Sequence, residues 1–146
     1  TKRRMALFFA DIDGMKRIND TLGHGAGDRA LLEDAAVLKE TFRKSDIIGR
    51  MGGDEFAALA LDIVDAKASA VLVKRLQVSL DVRNTTEDRT YALSLSVGAA
   101  HYDPGKQDSL DELIARADAS MYDQKKKGGR ASGLVRTLRS RSQGRS

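Results

Sequence analysis

The amino-acid sequence predicts an α+β fold, a ferredoxin-like or polymerase-palm-like β-α-β-β-α-β sheet with helices packed on it. Two observations lead to this prediction. Short apolar runs bounded by turn residues indicate strands, and apolar residues at helical spacing indicate the helices between them. The elements follow in the order strand, helix, strand, strand, helix, strand, helix. The length of 146 residues suits one domain, which we place at residues 1–130, followed by a basic tail at residues 131–146.

The first strand and the first helix come from the N-terminal third of the chain. Residues 5–10, MALFFA, form a short apolar run that ends at Asp11-Ile12-Asp13, as is typical of a buried strand. A helix that ends near Lys44 follows the glycine-rich GHGAGD stretch. Its apolar face is predicted from a repeat at helical spacing: Leu31, Ala35, Leu38 and Phe42.

A β-hairpin follows this helix. Residues 46–50 and 55–61 are predicted as two short strands, and the turn between them contains Gly52-Gly53. The hairpin therefore places Asp54 and Glu55 at the exit of its turn.

The C-terminal half supplies two more helices and one strand. Alternation of larger and smaller residues over 91–100 predicts the clearest strand of the chain. The helix before it is predicted from Ala68, Leu72, Leu76 and Leu80. The helix after it is predicted from Leu110, Leu113, Ile114, Ala117 and Met121.

The topology brings four acidic side chains to one edge of the sheet. In the usual strand order 4-1-3-2, the end of the first strand lies beside the start of the third. Asp11 and Asp13 should therefore converge on Asp54 and Glu55. Carboxylates this close repel one another unless a cation lies between them, and hard oxygen ligands suit Mg²⁺ or Mn²⁺. Because Mg²⁺ fills its other positions with water and phosphates, we expect a nucleoside triphosphate as the substrate class.

Simpler interpretations of single residues remain open at this point. Asp13 can cap the helix that begins near Gly14, and Gly52-Gly53 can be only a tight turn. Together these interpretations leave the clustering of the acids unexplained.

Composition excludes several classes of protein. The absence of cysteine excludes a disulfide scaffold, a cysteine-based zinc site and a thiol nucleophile. No apolar run approaches the roughly 18 residues of a membrane span. Residues 125–146 hold eight Lys and Arg and no acid, so the net charge of +4 leaves −4 for residues 1–124. We expect no membrane segment and no nucleic-acid partner, and a solvated tail; the alternative is a tail that contacts nucleic acid or an anionic membrane.

Four motifs resemble those of one protein family. MGGDEF at 51–56 resembles the signature of GGDEF-domain diguanylate cyclases, and DIDGMKRINDTLGHGAGD at 11–28 is similar to the family's first motif. LSVGAA at 95–100 and MYDQKKKGGR at 121–130 are similar to two later motifs in order and spacing. The resemblance implies a nucleotidyltransferase that condenses two GTP into cyclic di-GMP and two pyrophosphates, with each 3′-hydroxyl attacking the α-phosphorus of the other GTP.

The resemblance also implies which residues hold the metal. The family's Mg²⁺ ligands fall on Asp11, the backbone carbonyl of Ile12, and Asp54, with Glu55 beside them. Asp54 and Glu55 are then the catalytic acids. The metal would lower the pKa of the attacking hydroxyl and neutralise charge on the phosphates.

Guanine recognition is implied for Asn19 and Asp28. A carboxylate can accept from both N1–H and the N2 amine of guanine, and adenine offers no such donor pair. Without the motif, Asn19 would be a solvated helix residue and Asp28 the N-cap of the following helix.

Phosphate contacts are implied for the loop amides around Gly14 and Met15, for Lys16 and for Lys125. Lysines in the last turn of a helix are also favourable without a ligand. An extra glycine moves Arg130 one place beyond the usual phosphate-contacting arginine, so its role as a phosphate contact stays an expectation.

A product-binding inhibitory site is implied for Arg43 and Asp46. They form an RxxD sequence whose arginine lies nine residues before Gly52, which is the family's spacing. Arginine can stack on guanine and pair with phosphate, and aspartate can accept from the guanine edge. The alternative is a surface ion pair.

Two functions remain possible at this stage. In the first, the chain is an active diguanylate cyclase that works as a homodimer, because each protomer supplies one GTP half-site. In the second, it is a catalytically silent GGDEF module that binds GTP or cyclic di-GMP and signals to a partner domain. The family's N-terminal helix has no counterpart here. We therefore expect a fragment of a longer, cytoplasmic or membrane-bound protein with a fused sensor or effector domain.

Overall fold

A computed structural model describes residues 4–86, 91–106 and 109–127 of the chain. The elements in these ranges are β1 (Met5–Ile12), α1 (Met15–Leu22), α2 (His24–Thr41), β2 (Ile47–Gly52), β3 (Glu55–Leu61), α3 (Ala66–Thr86), β4 (Leu95–Tyr102), a 3-10 helix (Pro104–Lys106) and α4 (Leu110–Lys126). Arg130 and the predicted tail at 131–146 lie outside the described residues. Among the helices described, none combines the length and the apolar character needed to cross a membrane.

The four strands form one sheet in the order β2-β3-β1-β4, and each neighbouring pair is antiparallel. The predicted α+β fold and strand order are confirmed. β1 lies inside the sheet because its apolar residues are buried on both faces. Its register sets Asp11 opposite Glu55 of β3 on one side and opposite Ser96 of β4 on the other.

Helices cover both faces of the sheet. Because successive residues of a strand point to opposite faces, β1 contributes to two cores. On the face of α4, Leu113 and Ala117 pack with Leu7 and Ala100. On the face of the other three helices, the core includes Ala6, Phe8, Ala10 and Ile12 of β1, Ile18 of α1, Ala26, Ala30, Val37 and Leu38 of α2, and Leu72, Leu76 and Leu80 of α3.

The helical segment after β1 differs from the prediction. We predicted one helix after the GHGAGD stretch, whereas α2 already begins at His24 and a separate α1 precedes it. Gly23 separates the two helices with a φ of 89°, a conformation that glycine adopts without strain, and its N–H donates to Asn19 O at 3.0 Å. The break between the helices is therefore a single residue.

The predicted strand at 91–100 begins later, at Leu95. Its first residues have a side-chain partner instead of a strand partner. Asn84 Oδ1 accepts from the N–H of Leu93 at 2.7 Å, and Asn84 Nδ2 donates to the Leu93 carbonyl at 3.0 Å. This satisfies the backbone of Leu93 outside the ladder.

The buried face of α4 is narrower than predicted. Leu113, Ala117 and Met121 are buried at spacings of four, whereas Leu110 is 67% and Ile114 37% exposed. The helix begins with a capping box in which Ser109 and Glu112 each bond to the other's backbone N–H.

Candidate functional site

Three of the predicted acids meet where β1 ends. Asp11 lies opposite Glu55 in the β1–β3 register, and the N–H of Ile12 donates to the backbone oxygen of Asp54 at 3.1 Å. β2 ends at Gly52 and β3 begins at Glu55, so Asp54 lies in the hairpin turn itself. Asp11, Asp54 and Glu55, from two distant stretches of the chain, therefore lie at one edge of the sheet, as the predicted strand order requires.

Asp11 is the buried member of this group, with 9% of its surface exposed. Its Oδ2 lies 3.1 Å from Lys125 Nζ, and its Oδ1 has no hydrogen-bond partner among the described residues. Burial raises the pKa of the Asp11 carboxyl; Lys125 opposes this shift, and the charges of Asp54 and Glu55 add to it. The ionised form of Asp11 therefore favours additional positive charge.

Lys125 reaches this edge from the end of α4. Its Nζ lies 3.1 Å from Asp11 Oδ2, 3.4 Å from the Ile12 carbonyl oxygen and 3.7 Å from Asp13 Oδ1. In this structure the lysine predicted to contact phosphate lies against two of the oxygens predicted to bind the metal.

Asp13 points away from the hairpin acids. The hydroxyls of Ser94 and Ser96 donate to its two carboxylate oxygens, the first at 2.5 Å, and its N–H donates to the Ser94 carbonyl at 2.9 Å. Gly14 is the N-cap of α1, and no side chain of the described residues caps that helix. The interpretation of Asp13 as a helix cap is therefore wrong.

Ser94 and Ser96 are residues that the sequence analysis missed. They stand two apart, as residues on one face of a strand do, next to the strand that leads to Asp13. That spacing in LSLS was the available signal, but serine pairs of this kind are common on exposed strands. Only the pairing of β1 with β4 shows that they share a carboxylate.

The donor set at this edge suits a hard divalent cation. It consists of the carboxylates of Asp11 and Asp54 and the carbonyl of Ile12, all oxygen atoms. Within the described residues, no three His, Asp or Glu side chains are grouped closely enough to hold a metal by themselves. A metal ion at this edge would therefore need backbone and non-protein oxygens as well, and the unpartnered Oδ1 of Asp11 is a side-chain oxygen that suits such an ion.

Three of the residues predicted to contact phosphate lie at the start of α1: Gly14, Met15 and Lys16. Gly14 has a φ of 73°, and within the described chain no side-chain cap accepts from the N–H groups of the first turn of the helix. Met15 follows as the first helical residue. Lys16 pairs with Asp20 at 2.8 Å, and its side chain is 90% exposed. Lys16 is therefore an exposed cation, paired with Asp20, in the first turn of α1.

Asn19 and Asp28 lie at adjacent positions on α1 and α2. A Cβ built on Gly27 would lie 1.9 Å from Asn19 Oδ1, so the Asn19 amide rests directly on the backbone next to Asp28. Asn19 is half-buried, and Asp28 is exposed inside α2. The alternative of Asp28 as an N-cap is therefore wrong, because Gly23 is the N-cap of α2.

Arg43 and Asp46 form the loop between α2 and β2. Asp46 Oδ2 accepts from Arg43 N at 3.0 Å and Asp46 Oδ1 from Leu61 N at 3.0 Å, while Arg43 Nη2 lies 3.6 Å from Asp46 Oδ1 and donates to the Leu61 carbonyl. The Asp46 side chain is 1% exposed and that of Arg43 54% exposed. The ion pair considered for this sequence is present, and Asp46 also anchors the loop to β3.

Neither backbone conformation nor crowding in the described structure requires glycine at the two positions of the hairpin turn. Neither has a positive φ, and no described atom lies within 4 Å of a Cβ built on Gly52 or Gly53. Arg50 donates to both of their carbonyls, to Gly53 at 2.6 Å. Open space over this turn, beside Asp54, suits a ligand that approaches the backbone closely.

Comparison with known proteins places these motifs in one family. The family model described as "Diguanylate cyclase, GGDEF domain" matches residues 1–131. The bifunctional diguanylate cyclase/cyclic di-GMP phosphodiesterase MucR of Pseudomonas aeruginosa is 36% identical over 86% of this chain, which spans 18% of MucR. The cyclic di-GMP phosphodiesterase NbdA of the same species is 33% identical over 83% of the chain, which spans 15% of NbdA. The chain thus corresponds to a minor part of each of these proteins.

A solved structure supports the same comparison. The GGDEF domain of DgcB from Caulobacter crescentus, solved in complex with c-di-GMP, superposes with a TM-score of 0.76 at 30% identity. The match covers 87% of this chain and 75% of the DgcB chain. The sheet and helices that carry the acidic edge are therefore shared with that domain.

Proposed function

Because this chain belongs to the diguanylate cyclase GGDEF domain family, we propose that it condenses two GTP into cyclic di-GMP and releases two pyrophosphates. Each 3′-hydroxyl bonds to the α-phosphorus of the other GTP and loses its proton as pyrophosphate leaves. One observation carries this proposal. A buried carboxylate, Asp11, has one oxygen without a partner among the described residues, at the edge where Asp54 and Glu55 lie.

We assign Mg²⁺, with Mn²⁺ as the alternative, to Asp11, the Ile12 carbonyl and Asp54. The family generally depends on a divalent metal, and hard oxygen donors suit either ion. When bound, the metal lowers the pKa of the attacking hydroxyl and neutralises charge on the phosphates. Glu55, opposite Asp11 and exposed, adds a third carboxylate beside the reacting groups.

We assign guanine recognition to Asn19 and Asp28. Their proximity through Gly27 supports this assignment, because both side chains can reach the same planar edge. An exposed carboxylate accepts from N1–H and N2 together, and the Asn19 amide can both donate and accept.

We assign the phosphates to the amides around Gly14 and Met15 and to Lys16 and Lys125. The uncapped first turn of α1 offers N–H donors where negative charge is favourable. Arg130 is proposed as a further phosphate contact from its sequence position alone.

Two protomers have to face each other, because one domain holds one GTP and the reaction joins two. We expect the specific activity of the isolated chain to rise with protein concentration, since pairing limits turnover. Incubation with GTP and Mg²⁺ over a dilution series, followed by chromatography of the nucleotides, measures this. A specific activity that is independent of concentration would contradict the half-site arrangement.

Gly27→Ala tests the guanine site. The added Cβ would displace Asn19, and we expect the KM for GTP to rise about tenfold, the equivalent of one hydrogen bond of roughly 1.5 kcal/mol. Gly25→Ala in the same helix is the matched control, because its Cβ would meet only Arg29 Nη1, at 3.9 Å. Equal KM values for the two variants would remove Asn19 from the site.

We also propose that cyclic di-GMP inhibits the enzyme at Arg43 and Asp46. The half-exposed Arg43 side chain supports this, because it can leave the Leu61 carbonyl for a guanine or phosphate. Asp46 is buried and already accepts two backbone N–H groups, so Arg43 is the member that can respond to product.

Arg43→Ala is expected to raise the inhibition constant for cyclic di-GMP at least about tenfold, because a guanidinium pairs with phosphate more strongly than a neutral group does. The initial rate without product should stay unchanged. Initial rates at increasing cyclic di-GMP measure it. Lys44→Ala removes the charge of an exposed neighbour. Cyclic di-GMP should inhibit this variant as strongly as it inhibits the parent chain. If both variants remain equally inhibited, the site lies elsewhere.

A second candidate function is a silent module that binds GTP or cyclic di-GMP and signals to a partner domain. Similarity to NbdA, whose name mentions only phosphodiesterase activity, favours keeping it. The intact residues 52–56 favour synthesis. Nucleotide binding without any product over the dilution series would decide for the silent module.

We further propose that the chain is the GTP-using part of a longer protein with a fused sensor or effector domain. Its share of 18% of MucR supports this. Because GTP is a cytoplasmic substrate, we place the domain in the cytoplasm, free or attached to a membrane-bound parent.

A further inference from the structure

The ammonium group of Lys125 lies close to the residues to which a divalent cation is assigned. Its Nζ is 3.1 Å from Asp11 Oδ2 and 3.4 Å from the Ile12 carbonyl oxygen. The ammonium group thus supplies positive charge to two of the three assigned ligands. A divalent cation on the free Oδ1 of Asp11 and on the Ile12 carbonyl would repel this ammonium group, so metal binding favours a shift of Lys125 away from these oxygens.

Asp13 offers the lysine a second carboxylate. Its side chain is 4% exposed, and its Oδ1 lies 3.7 Å from the same Nζ. Ser96 of β4 and Ser94, immediately before β4, donate to its two oxygens and hold it in place. A carboxylate buried in this way needs a nearby positive charge, and Lys125 is the cation within 4 Å among the described residues.

We propose that Lys125 alternates between two carboxylates according to metal occupancy. Without a divalent cation, its ammonium group neutralises Asp11 and contacts the Ile12 carbonyl. With the cation bound, the ammonium group of Lys125 would move from Asp11 towards Asp13. Asp13 is therefore a positioning residue, and Ser94 and Ser96 orient it. The inference rests on the metal site of the proposed function.

This arrangement links the binding of the divalent cation to the release of Lys125 from Asp11. Movement of less than 1 Å shortens the Lys125 to Asp13 distance of 3.7 Å to an ordinary ion pair, so the lysine charge stays compensated throughout. The lysine is also released from Asp11 only when positive charge replaces it. Its affinity for Asp11 therefore lowers the apparent metal affinity of the nucleotide-free chain.

The first test measures Mn²⁺ binding without nucleotide by electron paramagnetic resonance. Lys125→Met keeps the length of the side chain and removes its charge, and we expect Mn²⁺ to bind about tenfold more tightly. Lys126→Met is the matched control. Its ammonium group lies 5.6 Å from the centre of the Tyr122 ring, and its loss should change the affinity less than twofold.

The second test is a double-mutant cycle on the same binding constant. Asp13→Asn removes the second carboxylate, so Lys125 should hold Asp11 more firmly, and we expect Mn²⁺ binding to weaken threefold or more. In the Lys125→Met background, the same substitution should have a clearly smaller effect, because no lysine competes. Equal effects of Asp13→Asn in both backgrounds would overturn the role of Asp13.

The outcomes separate this inference from the proposed function. If Mn²⁺ binds the parent chain and binds Lys125→Met no more tightly, the alternation of Lys125 is wrong and the metal site stands. If Mn²⁺ binds neither chain, the metal site itself is wrong, and the inference falls with it. Thermal unfolding in EDTA confirms that each variant is folded before titration.

Discussion

Gly98→Ala is expected to lower the free energy of unfolding by about 3 kcal/mol or more, the upper range for overpacking a core. A Cβ on Gly98 would lie 2.0 Å from the backbone nitrogen of Met121 and 2.5 Å from the carbonyl carbon of Ser120. These are atoms of the α4 backbone, which cannot rotate away as a side chain can. The helix would have to leave the sheet. Urea unfolding followed by circular dichroism measures the effect.

Gly49→Ala in β2 is the matched control for this substitution. No described atom lies within 4 Å of its added Cβ, and its φ is ordinary for any residue. We expect a change within about 0.5 kcal/mol, as for most surface substitutions. Similar stabilities of the two variants would contradict the close contact between β4 and α4. Because Lys125 lies one turn beyond Met121, any folded Gly98→Ala protein should also lose its lysine contacts with Asp11.

Asp54→Ala is expected to reduce cyclic di-GMP synthesis by roughly a hundredfold to a thousandfold or more, the range for removing one preorganised charged or polar contact from a reacting centre. The side chain lies in the hairpin turn, and its loss leaves the backbone bond from Ile12 N to Asp54 O intact. The fold should therefore survive. Product formation from GTP and Mg²⁺, at a protein concentration that gives full activity in the parent chain, measures the loss.

Asp118→Ala controls for the general removal of a negative charge. Asp118 is exposed on α4, away from the edge formed by β1 and the hairpin, and its replacement should leave the rate within about twofold. Normal product output from Asp54→Ala would remove this residue from the metal site. A parallel loss in both variants would point to charge effects on pairing or folding instead.

Several features of this fold follow from local sequence patterns. The apolar run before Asp11, the glycine-containing turn before Glu55 and the alternation before Ser96 each predicted a strand. The order of elements then predicted the sheet, and the strand register brought Asp11 opposite Glu55 as expected. Element boundaries were less accurate, because a side chain such as Asn84 can replace a strand partner for Leu93.

The contacts of the functional residues, in contrast, could not be predicted from local sequence patterns. The resemblance assigned Lys125 to a phosphate, and its contact with the Ile12 carbonyl joins residues 113 positions apart. Asp13 was interpreted as a metal-edge acid or a helix cap, whereas its partner Ser94 lies 81 positions away, immediately before β4. The local sequence around one partner of each contact does not indicate the other partner. Asn19 likewise depends on the absence of a side chain at Gly27.

The sequence alone determined the order of the four strands and of α2, α3 and α4, but not α1, and it determined the end of the sheet that carries the acids, because periodicity and turn residues act within a few neighbours. The tertiary structure decided which charged side chains contact one another at that end of the sheet. Lys125, Asp11 and Asp13 become neighbours only when α4 packs on β4 and β4 pairs with β1. Burial then makes each charge depend on the others, because desolvated carboxylates need a compensating cation.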